Sequence, residues 1–339
     1  MNLIICITPL QVLIAKRIIE TNQINNSQSA FIGLYLPYGD NPKHHHYYQQ
    51  LAKVCQQSAF IELKNQTWGE RFATLNRLKT TLQQFGIWQQ PIEGAYLASL
   101  DVLFLQYVIS KVKFSKLYTF DDGTANIFPN STYFNPLPKS LPMRLFKKLV
   151  GIRYPDIPSI LAKTARHYTI FPHEKNLVEN IQVIELLTQN SENTAVETNQ
   201  VKRLILGQAI DNFVGETVYH EVVDKLIRDY QTEYFCPHPR ENLDFSDKMT
   251  VIHSEKIIED YLSDELTANP HCRYELYTFM STAVFTLRDF PRVDIFIVYN
   301  QPLYQRFSEA YEFLAEKGFT MIDLDNESLP SPPFTKGGG

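Results

Sequence analysis

Two series of short apolar runs, each alternating with helix-period segments, leave this 339-residue chain few folds to choose from. "NLIICI" at 2–7 is a continuous apolar run of strand length. Thr8-Pro9 then supply an N-cap and a proline at the first helical position. Leu10, Leu13, Ile14, Ile18 and Ile19 recur at helical spacing before the polar "TNQINNSQS". Strand-like runs return in "AFIGLYL" (30–36), "AFIEL" (59–63), "GAYLAS" (94–99), "KLYTF" (116–120) and "RHYTIF" (166–171), with helices expected around 70–84 and from Leu100. Unbroken apolar strands alternating with helices imply a parallel sheet covered on both faces.

The second series starts after a polar stretch, "LTQNSENTAVETNQ" (187–200). Strands are expected at "VKRLILG" (201–207), "EYFCPHP" (233–239), "RYELYTF" (273–279), "VDIFIVY" (293–299) and "FTMIDL" (319–324), with helices at 215–230, 255–266, 281–288 and 304–317 between them. The chain therefore divides into a Rossmann-like domain over 1–190 with a turn-rich insertion at 130–165, a second Rossmann-like domain over 201–325, and a Pro- and Gly-rich tail at 326–339 expected to be disordered. Two such halves match the α/β GT-B arrangement, in which parallel sheets face each other across a cleft that holds the active site. Two-domain dehydrogenases and periplasmic-type binding proteins share that outline.

A hydrophobic content of 44% supplies a large core, and a net charge of -5 gives no global basic field for nucleic acid, which is not expected as a partner, though a local patch such as Lys111, Lys113 and Lys116 could meet a phosphate or anionic surface. Cys6, Cys55, Cys236 and Cys272 are scattered without metal-site or redox spacing, as in a reduced cytoplasmic protein. The start lacks a basic n-region and its apolar run stops at Pro9, so neither a signal peptide nor a spanning helix is expected. "KVKFSK" (111–116) and "PMRLFKKLVGIRY" (142–154) are basic and partly amphipathic, which suits peripheral contact with an anionic inner-membrane surface. "HHH" at 44–46 is read as a solvated polar segment, because adjacent histidines on a helix point in different directions.

No Gly-x-Gly-x-x-Gly follows a strand, and there is no Walker loop, Gly-x-Ser-x-Gly elbow or His-Glu-x-x-His. What remains is a set of strand ends: Asp121-Asp122-Gly123, Gly207 with Asp211, Pro237-His238-Pro239-Arg240, and Ser281-Thr282. Each has a structural reading. Asp-Asp-Gly is ordinary turn chemistry, a histidine between prolines is a rigid turn, and Ser281 or Thr282 caps a helix. Each has a functional one too. Acids at the carboxyl edge of a parallel sheet lie where such sheets bind ligands, an imidazole there suits acid catalysis or a phosphate, and hydroxyls at a helix start suit an anion. Phe128, Tyr133 and Phe134 in the insertion could stack on sugar rings or simply pack.

Taken in order, "YTFDDGTANI", "LILGQAID", "CPHPRE", "IIEDYL" and "RYELYTFMST", together with the opening "MNLIICITPLQVLIAKRII" and "RHYTIF", resemble glycosyltransferase family 52, the lipooligosaccharide sialyltransferases of Gram-negative bacteria. The resemblance spans residues 1 to about 325. It implies an inverting, metal-independent GT-B enzyme that needs no cofactor and moves sialic acid from the co-substrate CMP-sialic acid to a terminal galactose, usually α2,3-linked, and that works as a homodimer. Carried over, His238 is the general acid or electrostatic partner at the leaving phosphate. Gly207, Gln208, Pro239, Arg240, Glu259, Tyr277, Ser281 and Thr282 are donor-binding, with the two hydroxyls on the phosphate and Glu259 toward the ribose or base. Asp211 is the first candidate for general base and Asp122 the second, with Asp121 and Gly123 on the acceptor side. The competing expectations are another GT-B nucleotide-sugar enzyme using a nucleoside diphosphate donor, and a non-catalytic sugar-binding relative.

Overall fold

A computed structural model describes residues 1–25, 28–129, 131–136, 140–186, 200–238 and 243–326. The chain forms two compact units. The first contains β1 (Asn2–Cys6), α1 (Pro9–Asn25), β2 (Phe31–Tyr35), α2 (Pro42–Val54), β3 (Gln57–Phe60), α3 (Trp68–Gln84), β4 (Pro91–Leu97), α4 (Leu103–Lys111), β5 (Lys113–Phe120), α5 (Leu141–Leu149), α6 (Ile157–Leu161), β6 (Thr164–Thr169) and β7 (Ile181–Val183). Its seven strands lie in the order β3-β2-β1-β4-β5-β6-β7, all parallel.

Alternation along the strands builds two cores from one sheet. Leu3 and Ile5 of β1 join Ile32 and Leu34 of β2 in one buried cluster, while Ile4 and Cys6 join Phe31 and Tyr35 in another on the opposite face. A side chain at Gly94 of β4 would come within 2.8 Å of Asn2 Oδ1 and 2.9 Å of the Tyr96 ring. Glycine there leaves room for Tyr96 to stack on Tyr118, with ring centroids 4.6 Å apart.

The second unit contains β8 (Gln200–Leu206), α7 (Asp211–Val214), α8 (Glu216–Tyr230), β9 (Tyr234–Cys236), β10 (Thr250–Val251), α9 (Ile258–Ala268), β11 (Cys272–Thr278), α10 (Ala283–Leu287), β12 (Val293–Tyr299), α11 (Gln301–Glu316) and β13 (Thr320–Asp323). Its parallel order is β10-β9-β8-β11-β12-β13. Both sheets start in the middle and wind outward in both directions. Each therefore has a point where strand order reverses, between β1 and β4 and between β8 and β11, and there a crevice opens outside the carboxyl ends of the strands.

Several elements depart from the sequence reading. The helix expected from residue 255 begins at Ile258; Glu255–Ile257 pack with the first unit, where the Ile257 amide donates to the Tyr47 hydroxyl at 2.9 Å. The turn-rich 130–165 stretch holds α5 and α6, because Pro142 falls in the first turn of one and Asp156 forms a reciprocal cap with Ser159 at the other. The three histidines of α2 go to separate partners: Tyr35 for His44, Asp40 for His45 and Gln50 for His46. The linker and tail expectations at 187–199 and 327–339 lie outside the described residues. Among the described residues no helix is long and apolar enough to cross a membrane.

Candidate active site

The reversal point of the first sheet is occupied by Asp122, just beyond β5. Its Oδ1 accepts from Gln11 Nε2 at 2.6 Å, and its Oδ2 accepts from the Ser99 hydroxyl and the Tyr133 hydroxyl, both at 2.9 Å. Each donor comes from a different segment. Gln11 opens α1 after β1, held by the Ile7 amide, which donates to its Oε1 at 2.7 Å. Ser99 follows β4 in the left-handed region, φ 47°, an expensive conformation for a residue with a Cβ; it accepts from Gln11 at 2.8 Å while donating to Asp122. The Tyr133 hydroxyl accepts from the Leu100 amide at 2.8 Å. Gly123, φ 58°, turns the chain so that Asn126 Oδ1 accepts from the Asp122 amide.

All three donors to the Asp122 carboxylate are neutral. Burial raises its pKa, the hydrogen bonds from Ser99, Tyr133 and Gln11 pull it part of the way back, and the nearby Asp101 charge raises it further. Burial, with Asp122 beside it, holds the Tyr133 phenol well above its ordinary range, so it stays protonated as a donor.

Asp121 points the other way. It is fully buried: Oδ1 meets His167 Nε2 at 2.8 Å, and Oδ2 accepts from Thr169 Oγ1 at 2.8 Å and the Ile170 amide at 2.7 Å. His167 Nδ1 reaches Thr119 Oγ1 at 2.9 Å. The adjacent acids thus divide the work, one tying β5 to β6 inside the unit and one facing the crevice. Sequence reasoning missed Gln11, Ser99 and Tyr133 as partners. The only available signal was position, since the first two follow the strands that flank the reversal point.

In the second unit three strand ends are laced together. The Gly207 amide donates to the Cys236 carbonyl at 2.9 Å, joining the ends of β8 and β9. Thr278 Oγ1 donates to the Leu206 carbonyl at 3.2 Å, and the Met280 amide donates to Gln208 Oε1 at 2.6 Å, joining β8 to β11. Gly207, Gln208, Ser281 and Thr282 are thereby brought to one reversal point. His238 follows β9 and Pro237, half-buried. Asp211 opens α7, half-buried, its Oδ1 accepting from Asn212 Nδ2 at 3.2 Å.

The hydroxyl pair divides as well. Ser281 Oγ accepts from the Ala283 amide at 3.3 Å at the start of α10, whereas Thr282, in the N-cap position, is exposed and makes no side-chain cap. Tyr277 is the penultimate residue of β11, and Glu259 lies in the first turn of α9. The Tyr277 ring stacks on Phe296 with centroids 5.1 Å apart, and its hydroxyl donates to Glu275. Glu259 is buried in the first turn of α9, accepting from Thr286 Oγ1 at 2.9 Å. Pro239 and Arg240 lie outside the described residues. Among the described residues no group of three or more His, Cys, Asp or Glu is placed to hold a metal ion.

Comparison with known proteins gives a consistent account. The chain is 30% identical over 325 residues, 96% of its own length and 99% of the relative's, to the CMP-N-acetylneuraminate:beta-galactoside alpha-2,3-sialyltransferase of Pasteurella multocida. It is 33% identical over 323 residues, 95% and 99% of the two lengths, to the N-acetyllactosaminide alpha-2,3-sialyltransferase of Haemophilus influenzae. Its fold matches the GT-B domain of a Photobacterium damselae sialyltransferase with a TM-score of 0.53 over 95% of this chain and 100% of that one, at 13% identity. The two doubly wound units are thus a GT-B fold. Residues 29–301 match the profile of Glycosyltransferase family 52, and the chain belongs to that family of glycosyltransferases.

Proposed function

We propose that this enzyme transfers sialic acid from CMP-sialic acid to a terminal galactose of a lipid-linked oligosaccharide, forming an α2,3 bond with inversion and without a metal ion. The observation that carries the reading is the lacing of β8, β9 and β11, which holds Gly207, Gln208, His238, Ser281 and Thr282 on neighbouring strand ends of one unit. The names of the curated relatives supply the donor and linkage.

In this reading the bond from the sialyl anomeric carbon to the CMP phosphate breaks as the galactose 3-hydroxyl oxygen attacks from the opposite side. Negative charge grows on the phosphate. The exposed Thr282 hydroxyl, with Ser281 beside it, donates to that charge, and His238 supplies a proton or a positive imidazolium to the leaving group. Asp211 takes the acceptor hydroxyl's proton, since its half-buried carboxylate lies four residues beyond Gly207 and, among the described residues, accepts from the adjacent Asn212 side chain.

A second reading gives the proton to Asp122. Its favouring observation is the raised pKa produced by burial among neutral donors, which brings a carboxylate closer to the range where it works as a base.

The test is single-turnover transfer from CMP-sialic acid to a labelled lactoside in EDTA, comparing wild type with His238→Ala, Asp211→Asn and Asp122→Asn. Loss of an acid or base of this kind lowers the rate by roughly 10²–10⁴-fold. His238→Ala and one aspartate variant are expected in that range, and whichever aspartate falls there is the base. Wild type that neither transfers nor releases CMP with any galactoside would overturn the proposal. Tighter binding of UDP than of CMP would point to a different nucleotide-sugar donor.

A further inference from the structure

The turn that carries Asp211 has little of its own to hold it. α7 is four residues long with none of them buried, and a helix of one turn is far below the length at which backbone bonds alone keep a helix formed. The Phe213 and Val214 amides donate to the Ile210 carbonyl at 2.8 and 3.1 Å, and the Gly215 amide donates to the Asp211 carbonyl at 2.8 Å. Ile210, which is buried, anchors the entry. At the exit Gly215, φ 87°, breaks the helix before α8, so the row of Tyr219, Val222, Val223 and Leu226 that seats α8 does not seat α7 as well.

What α7 does have is Phe213. Its side chain is 56% exposed, yet the ring meets Phe307 of α11 edge-on, with centroids 5.5 Å apart and planes at 77°. The Arg306 guanidinium stands 5.8 Å from both ring centroids, within cation–π range. α11 leaves helical geometry at the same place: Phe307 has φ -133° and ψ 30° inside a helix that has no glycine and whose one proline, Pro302, sits in its first turn. Sharp bends in helices come from proline, from glycine or from a group that disturbs the ladder, and this one coincides with the ring that receives Phe213.

The contact also has a direction. Residues two apart on a helical turn lie about 200° around its axis, so a turn held against α11 through Phe213 presents Asp211 on its other side. Two rings left partly in water bury too little apolar area to matter much to the stability of the unit. They are enough to fix a single turn that nothing else seats.

We propose that Phe213 and Phe307, with Arg306 over both rings, form a clasp that holds α7 in place and so sets where the Asp211 carboxylate stands. All three are positioning residues, acting through α7. The effect on transfer rests on the reading of Asp211 as the base, whereas the hold on α7 does not.

The experiment pairs single-turnover transfer to a labelled lactoside with hydrogen exchange of the full chain. At saturating CMP-sialic acid, Phe213→Ala and Phe307→Ala should each transfer roughly 10–100-fold more slowly than wild type, the loss expected when a reacting group is misplaced by about an ångström. The half-saturating donor concentration, CMP affinity by calorimetry and melting temperature should not change. The double variant should be no slower than either single one, because both remove the same contact. Phe213→Tyr, which keeps the ring, should recover the wild-type rate. In Phe307→Ala the Phe213, Val214 and Gly215 amides should exchange faster than in wild type while those of α8 stay protected; Phe307→Leu serves if the alanine variant melts early. Unchanged protection of the α7 amides, additive losses in the double variant, or a loss confined to CMP affinity overturns the proposal. So does a wild-type rate in Phe213→Ala where Asp211→Asn is impaired. If Asp211→Asn itself transfers like wild type, the base reading alone fails, and the exchange result decides whether the clasp stands.

Discussion

Replacing Asp121 by alanine should unfold the first unit far more readily, whereas asparagine at the same position should be tolerated. The alanine variant leaves three donors orphaned inside the sheet: His167 Nε2, Thr169 Oγ1 and the Ile170 amide. Asp121 and His167 are both essentially inaccessible to water, so no solvent replaces the lost partner. Removing one member of such a buried set costs about 3–5 kcal/mol, a large part of the roughly 5–15 kcal/mol that holds a domain together. Asparagine differs physically. Its carbonyl oxygen can still accept from Thr169 and Ile170, and its amide can donate to His167 Nε2 once that ring carries its proton on Nδ1, where Thr119 Oγ1 accepts at 2.9 Å. The assay is urea unfolding followed by tryptophan fluorescence, because Trp68 and Trp88 are the only tryptophans and both lie in the first unit. With a denaturant slope of about 2 kcal/mol per molar, Asp121→Ala should lower the midpoint by about 2 M and Asp121→Asn by a small fraction of that. An alanine variant with the wild-type midpoint and no transferase activity would refute a structural Asp121 and return it to the reaction.

Asp122 makes a prediction of opposite sign. Burial raises its folded pKa above the unfolded value of about 3.9, so the native state holds a proton over a pH window in which the unfolded chain has released it. The first unit should lose stability as pH rises through that window and bear the full cost above the folded pKa; tryptophan-detected melts at stepped pH should show this slope in wild type and not in Asp122→Asn, and an equal slope in both would exclude Asp122 as its source. Ser99→Ala should cost about 1–3 kcal/mol through the bonds lost to Gln11 and Asp122. Ser99→Gly should cost about 1 kcal/mol less, since glycine adopts φ 47° without strain; equal melting of the two variants would show that the strain is absent. Thr282→Val should leave stability unchanged while weakening CMP binding about tenfold by calorimetry, the loss of one bond to a charged group, and unchanged affinity would remove Thr282 from the donor site.

The doubly wound architecture was legible because strands buried on both faces must read as unbroken apolar runs, and "NLIIC", "FIGLY" and "VDIFIVY" do. β7 and β10 escaped notice for the complementary reason. They are two- and three-residue edge strands with little buried surface, so nothing in their composition had to be apolar. The motif residues at strand ends were visible as departures from that pattern. Their partners were not, because a hydrogen bond such as Gln11 to Asp122 joins positions 111 residues apart, and neither residue type is unusual where it stands. Tyr277 is a further case. The family resemblance puts it among the donor-binding residues, and nothing in the sequence foretells that its ring stacks on Phe296, its register neighbour on β12.

The Asp121-Asp122 pair shows why a parallel sheet can carry two acids at one strand end. Consecutive residues there point to opposite sides, so the acid that faces β6 and the acid that faces the crevice can be separately satisfied. The first fixes the second. The Asp121 amide donates to the Tyr168 carbonyl at 3.2 Å, and its carboxylate grips the end of β6 at three points, so the peptide leading into Asp122 has little freedom. Asp122 is then met by three donors from α1, the end of β4 and the segment after Gly123. A carboxylate assembled from three separate segments and met, among the described residues, by neutral donors would be a poor way to stabilise a fold, because burying the charge costs more than neutral donors return. That cost is better understood as a property of the crevice: a carboxylate kept dry, oriented and raised in pKa, available to bind or deprotonate a sugar hydroxyl that enters beside it.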